Sequence, residues 1–574
     1  YLLVLEIEFV MKIFKNKKND QKIGQSQLDS AIRLFENTSI FKALLRIVFL
    51  AVTVSLASGL YVFADQVLMQ KILPENQQYV TETIAAINWK AEYFTRISNE
   101  ALKQTYGTEN AVINEITRLV NAGNSPITVI CTAISLLSGL GSAIIYSKAL
   151  GTKNEQEIRD IWKNSFYYCM VFSIVTTVII IGLIYVIIPA EISNTINEDI
   201  YNQSQEAALC IQRLQNQSRE YAIGYSLILV GFNIFNNYVI YYVSLLNSEG
   251  KNSIPTIVVL ISNGINILLD WVLLKYSGSG IYGSAIATII SYVLAIVFFT
   301  IYLYIKNRQQ DTFMIYKNLS FKNYKINWRI MLSVTKVGIA SFFRNASTAI
   351  FSIVLLSIYA NITNPLTGKE ATYYTSLMGA VTPIYNLFFS GMVGILRGSR
   401  TVISYNHGRG LTKNIYKAFW ISTGMSFFYG TLFFIVAGPM FTSGDYANGG
   451  LLSLFNITPD NPKYSDAVLL LNINTSQLVI YAFLISGMLY FQSIAKPVHA
   501  LITSVAYGLI LGIPFLYIIS AIAQAENNIM IYQFSPVIIS IISGILIFGY
   551  TVWYLYWRKE KPKFKQIKKE YLRN

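Results

Sequence analysis

The sequence predicts an all-α polytopic membrane protein, with twelve transmembrane helices in two parallel six-helix lobes. Three observations predict it. Of 574 residues 53% are hydrophobic and only 13% charged, where a soluble domain carries about a quarter charged residues. Twelve apolar runs are each long enough to cross a bilayer, which takes about 20 residues. Finally, Lys and Arg collect in alternate connections, as they do on one side of a membrane.

The runs fall near 44–69, 126–149, 165–188, 222–246, 254–275 and 281–305, then near 330–359, 376–399, 416–439, 472–494, 496–521 and 533–557. Tyr1 to Val10 precede Met11, form too short an apolar run to span, and read as a segment upstream of the true start. The expected organisation is a cytoplasmic segment 1–40, an N-lobe 41–305, a basic connector 306–329, a C-lobe 330–557 and a basic tail 558–574. The connector holds six basic residues against Asp311, and the tail eight against Glu560 and Glu570. Loop 74–124 has six Glu against four Lys/Arg, and loop 189–220 five acids against two Arg. Both termini are therefore expected in the cytoplasm, with the chain in the plasma membrane.

The two halves carry the trace of a repeat. Pro126 is followed by Gly141-Ser142, and Pro383 by Gly398-Ser399 at the same spacing. Each pair sits in the second helix of its half, and Lys-Asn follows a Gly shortly after (GTKN at 151, GLTKN at 410). Chance matching of Pro and Gly in apolar helices is the competing account. Two related six-helix halves around a cavity are a common transporter plan.

Composition excludes several classes. The net charge of +15 sits in connections and tail rather than on a folded basic face, so nucleic acid is not expected as a partner. Cys131, Cys169 and Cys210 make no disulfide framework, and His407 and His499 have no zinc-ligand spacing. No nucleophile–base pair, phosphate loop or metal set is visible, so the chain reads as no enzyme, needing no cofactor beyond a coupling ion.

Ionisable groups inside spanning helices are functional candidates because burying them is costly. Asp65 in the first helix and Asp270 in the fifth each fall about 8 Å below the outer surface at 1.5 Å per residue. Asn266 lies one turn from Asp270 on the same face, and Thr288 of the sixth helix is about 10 Å down. Desolvation and a neighbouring carboxylate favour the protonated form, so the set can bind H⁺, while the same oxygens can hold Na⁺. The bland alternative has each Asp meeting headgroups or water at the interface.

These residues lie in recognisable surroundings. SNGINILLDWVLL…GSGIYGSAIATIIS resembles the multidrug and toxic compound extrusion (MATE) family, whose pattern there is close to N-x-x-L-D, then G-x-x-G-A-A-x-A-T. YVFADQVLMQKIL at 61–73, LLNSEGKNSIP at 245–255 and GILRGSRTVISYNHGRG at 394–410 are similar to further family segments. The resemblance runs from about 40 to 557. It implies that Asp65, Asn266, Asp270 and Thr288 match the N-lobe cation-binding residues of part of the family. It implies a function too: antiport of organic cations or drugs against H⁺ or Na⁺ by alternating access. Some members use acids in the seventh and tenth helices, but 330–359 and 472–494 contain none, which points coupling to the N-lobe. This chain also lacks a Pro in 44–69, and reads Gly338-Ile339-Ala340-Ser341 where members often have G-x-P.

Arg344 is the residue a cation pump does not ask for. It is placed near the middle of the seventh helix, about 12 Å past Lys336. Either it pairs with a carboxylate or carbonyl, or it faces the cavity and meets an anionic headgroup or pyrophosphate. The latter supports the alternative reading, a flippase of lipid-linked oligosaccharides or lipids. Arg344, Tyr385 and Asn386 are the candidate substrate-cavity residues. Partners expected are a small amphiphilic substrate and membrane lipids, with the long loops 74–124 and 189–220 as caps or partner-binding segments.

Overall fold

The computed structural model describes residues 39–557 except 96, 98–99, 153–154, 195–197, 249–252, 309–313, 315–326, 409–410, 438–446 and 495. The segment upstream of 39, most of the basic connector and the tail after Trp557 lie outside the described residues. Among those described, no strand occurs. Eleven helices are long and apolar enough to cross a membrane, and a bent pair makes a twelfth. The chain is thus a multi-pass membrane protein.

In chain order the spans are α1 (Ile40–Ile72), α2 (Glu109–Thr152), α3 (Glu155–Glu191), α4 (Gln205–Gly231 and Asn233–Ser248), α5 (Ser253–Tyr276), α6 (Tyr282–Arg308), α7 (Trp328–Thr367), α8 (Tyr373–Gly408), α9 (Thr412–Ala437), α10 (Tyr464–Ser493), α11 (Val498–Ala525) and α12 (Ser535–Trp557). We call the end where α6 finishes and α7 begins the basic end, and the other the far end.

Local chemistry sets the boundaries. Ser39 caps α1 by accepting from the Lys42 amide at 3.4 Å, and Asn327 caps α7 through the amides of Arg329 and Ile330. Gly368 ends α7 at φ 67°, a left-handed turn that suits glycine. The halves of α4 meet at 48°. In α11 a π turn over Ala506–Gly512 widens the helix just ahead of Pro514, whose ring clashes with the carbonyl four residues back.

Several spans extend past the apolar runs. Of the segment expected as loop 74–124, Gln77–Ile87, Glu92–Thr95 and Glu100–Tyr106 are helical, and α2 starts at Glu109. Most of 189–220 is likewise helical, through Glu198–Gln203 and the first half of α4. These short helices form a packed cap at the far end. Trp89 donates from its indole to the Tyr106 carbonyl at 2.7 Å, the Thr83 and Tyr221 hydroxyls pair at 2.8 Å, and Phe94 stacks on Tyr106. Their apolar faces are too narrow to register as spans.

The lobes meet at both ends. Near the basic end α7 crosses α2 so closely that a Cβ on Gly338 would strike the Leu137 carbonyl, and one on Gly141 the Val334 carbonyl. There α8 also packs on α1, with Gly394 against Val52 and Gly398 against Val48. Val48 and Phe63 of α1 belong to the C-lobe's apolar core, so α1 serves both lobes. At the far end Gly379 of α8 abuts the Arg118 carbonyl of α2.

Candidate functional site

The structure gathers the four N-lobe residues into one pocket between α1, α5 and α6. Asp65, Asn266, Asp270 and Thr288 are all buried, with Asn266 and Asp270 fully so. Asp65 accepts from the Ser284 hydroxyl, which also meets the Tyr225 hydroxyl at 3.3 Å. With its amide oriented to suit both neighbours, Asn266 donates to Asp270 Oδ2 at 3.0 Å and accepts from the Thr288 backbone N–H at 3.1 Å. Tyr61 of α1 reaches Thr288 and Tyr292 through its hydroxyl.

One oxygen is left over. Asp270 Oδ1 is buried without a hydrogen-bond partner, yet the Asp65 carboxyl lies within hydrogen-bonding reach of Asp270. Two ionised carboxylates have no donor to offer each other. A proton shared between them, or a cation beside them, completes the site. The surrounding oxygens of Ser284, Thr288 and Asn266 are hard ligands suited to H⁺ or Na⁺. Among the described residues, no group of three or more His, Cys, Asp or Glu gathers as a metal site.

A cavity lies between the lobes, in the far-end half of the helices that line it. It is lined by Gln66 of α1, Asn121, Ser125 and Pro126 of α2, Ser352 and Leu355 of α7, and Met378, Thr382, Pro383 and Asn386 of α8. Pro126 and Pro383, the pair related by the repeat, face each other's lobes across it. Its volume of about 40 Å³ accommodates a few waters at about 10–15 Å³ each.

Of the three candidate cavity residues, Tyr385 and Arg344 both lie close enough to Tyr481 of α10 for their charges to act on it. Asn386 lines the interlobe cavity. Tyr385 stacks on Phe389 at 5.6 Å inside the C-lobe. Arg344 lies within a turn of the middle of α7 (Trp328–Thr367), where the sequence places it.

Sequence reading missed three features. Ser284 sits one turn before Thr288 on the same face of α6, a spacing that could have shown it. Arg397 and Arg400, i and i+3 on α8, join Arg344. Last is a buried interlobe ion network: Glu115 of α2 receives Lys463 at 2.8 Å and Arg118 at 2.7 Å. Arg118 also donates to the Phe455 carbonyl at 3.2 Å and to Ser376 at 3.3 Å. Apart from the Glu115–Arg118 pair, its contacts join residues more than 250 positions apart, so no local pattern announces the network.

This architecture is that of the MATE transporters. No protein-family model matches the chain. An inward-facing multidrug resistance MATE family transporter of the MOP superfamily aligns with a TM-score of 0.63 at 16% identity, covering 78% of this chain and 92% of its own. An outward-facing conformation of such a transporter gives 0.62 at 15%, over 91% and 97%. A MOP superfamily transporter from Pyrococcus furiosus, described as having a binding pocket of reverse polarity that suggests a different function, gives 0.63 at 15%, over 91% and 97%.

Sequence relatives agree with the fold. The multidrug export protein MepA of Staphylococcus aureus is 24% identical over 404 residues, 69% of this chain and 78% of its own. An uncharacterized protein of Mycoplasmoides gallisepticum is 27% identical over 536 residues, 90% of each chain. The resemblance read from the motifs is therefore supported by fold and by sequence independently.

Proposed function

We propose that the chain is a MATE-type secondary active transporter that exports organic cations or related amphiphiles in exchange for H⁺ or Na⁺. The observation that carries this reading is the facing Asp65–Asp270 pair with its orphaned Asp270 oxygen. A pump that takes up a cation from one side needs a buried anionic site that is incomplete without it. The similarity to a multidrug export protein supports the direction of transport. The basic end is taken as cytoplasmic, with both termini there and the chain in the plasma membrane.

Coupling follows from the double allegiance of α1. Its Asp65 belongs to the N-lobe site, while Val48, Val52 and Phe63 pack against the C-lobe. A cation that binds more tightly in one position of α1 than in another shifts the balance between lobe arrangements by that difference in affinity. The interlobe cavity would then open alternately to each end.

The test is dye transport in proteoliposomes under an imposed pH or Na⁺ gradient. The wild type should move a fluorescent organic cation, and Asp65→Asn or Asp270→Asn should reduce gradient-driven movement at least about 100-fold, the usual scale for a lost charge at a working site. Dye movement by the variants equal to wild type would overturn the N-lobe coupling site. A second reading, a flippase of lipid-linked oligosaccharides or lipids, is favoured by the arginines around Arg344. It expects labelled lipid rather than dye to cross, with Arg344 needed more than Asp65.

A further inference from the structure

The C-lobe holds a second charged site, of the opposite sign. Arg344 of α7 and Arg397 and Arg400 of α8 converge in the basic-end half of their helices, close enough for their charges to act on one another. Arg397 donates to Ser55 of α1 at 3.5 Å. Arg400 donates from Nη2 to Gln492 of α10, whose own amide reaches Ser504 of α11 at 3.4 Å. Four helices of the C-lobe, and α1, thus hold this corner in place.

Two features show that the protein alone does not complete it. Arg400 Nε is buried and has no hydrogen-bond partner. Arg344 carries a guanidinium with five N–H donors, and no described protein atom accepts from it. Nor does any described C-lobe carboxylate pair with Arg344 or Arg400. The sequence has no Asp or Glu between Glu370 and Asp445, or between Asp466 and Glu526, and the described Glu370, Asp466 and Glu526 fall at the far end. A topological role would ask only for cations splayed into water at the rim. It does not ask for a buried donor without a partner, or for three like charges drawn together.

We propose that Arg344, Arg397 and Arg400 bind a phosphoryl oxyanion, with a diphosphate group the best match. Planar guanidinium forks pair bidentately with phosphate oxygens, and three forks offer more donors than one carboxylate can accept. The wall next to the charges is aromatic. Tyr481, which feels the Arg344 charge, packs against Phe389 and Tyr507 at 5.2 Å each. The pocket therefore suits a ligand with an anionic head and an apolar or flat body. The site is separate from the N-lobe carboxylates, so this inference does not depend on the coupling reading and can stand if that fails.

The experiment uses the purified full chain in detergent and follows its melting temperature as sodium pyrophosphate is added at constant ionic strength. Wild type should show a saturable rise. Arg344→Gln and Arg400→Gln should weaken the apparent affinity by about tenfold or more each, the scale of a charge-assisted hydrogen bond. Lys417→Gln, which removes one exposed positive charge from α9, should match wild type. Arg344→Lys keeps the charge and the fold but not the fork, and should also bind more weakly.

A parallel arm replaces pyrophosphate with phosphatidylcholine nanodiscs with and without phosphatidic acid. A response to free pyrophosphate identifies a soluble ligand. A response to phosphatidic acid alone, lost in the same variants, identifies a lipid headgroup. No saturable response in either arm, or one that Arg344→Gln and Arg400→Gln leave intact, overturns the site.

Discussion

At the residue scale the molecule concentrates its chemistry in a few buried charges, each in a different predicament. Glu370, between α7 and α8, is 3% exposed with one carboxylate oxygen unpartnered. Burial pushes its carboxyl above the ordinary range, and Lys463 only partly offsets this. Below the unfolded-state value, about 4.3, folded and unfolded chains are both protonated, and the group is neutral toward stability. As pH rises above that, the unfolded chain releases the proton that the folded chain retains, so stability falls. Glu370→Gln should therefore melt higher than wild type at about pH 7.5 and alike at about pH 4, and a constant difference across pH would refute the assignment. Legibility at this scale followed burial. Asp65 and Asp270 stood out because carboxylates are rare in apolar helices, and Asn266 and Thr288 followed by helical spacing. Ser284, Arg397 and Arg400 carry no such signal: serine is common in spans, and arginines near a helix end read as topology signals.

At the element scale, hydropathy located every span but not its ends. It detects a 20-residue apolar window, while α2 and α7 run to 44 and 40 residues because their extensions pack on protein rather than lipid. The cap helices between α1 and α2 escaped for the same reason. What hydropathy cannot show is how closely two helices approach, and here that distance is written in glycine. At the α2–α7 crossing, Gly338 and Gly141 each admit the partner's carbonyl where a side chain would stand. Gly338→Val must push α7 away from α2, at about 1–3 kcal/mol for an overpacked contact. We expect lower thermal stability, and also easier labelling of a cysteine placed at Leu137 by a maleimide reagent. A variant that melts lower without exposing that cysteine would mean the strain relaxes within α7 and the crossing stays shut.

At the scale of the whole molecule, the lobes touch at both ends, and the small interlobe cavity lies between the two contacts. Transport requires one closure to give way while the other holds, and the two closures differ in chemistry. The basic end is shut by glycine-mediated packing of α1 on α8 and α2 on α7. The far end adds charge to such packing: Glu115 sits between Arg118 and Lys463, with all three side chains 1–3% exposed, and Lys71 and Asn456 add bonds from α1 to the α9–α10 connection. Removing the carboxylate leaves two buried cations without their anion, a loss of about 3–5 kcal/mol that separation of the lobes into water relieves. Packing of small residues has no such release. Glu115→Gln should therefore open the far end selectively. A cysteine at Asn121, which lines the cavity, should react faster with a membrane-impermeant maleimide applied to that end, and no faster from the basic end. The native cysteines are all buried, so their background is small. Equal acceleration from both ends would mean that Glu115 supports the fold as a whole, and no acceleration would mean that the far end opens by some other break.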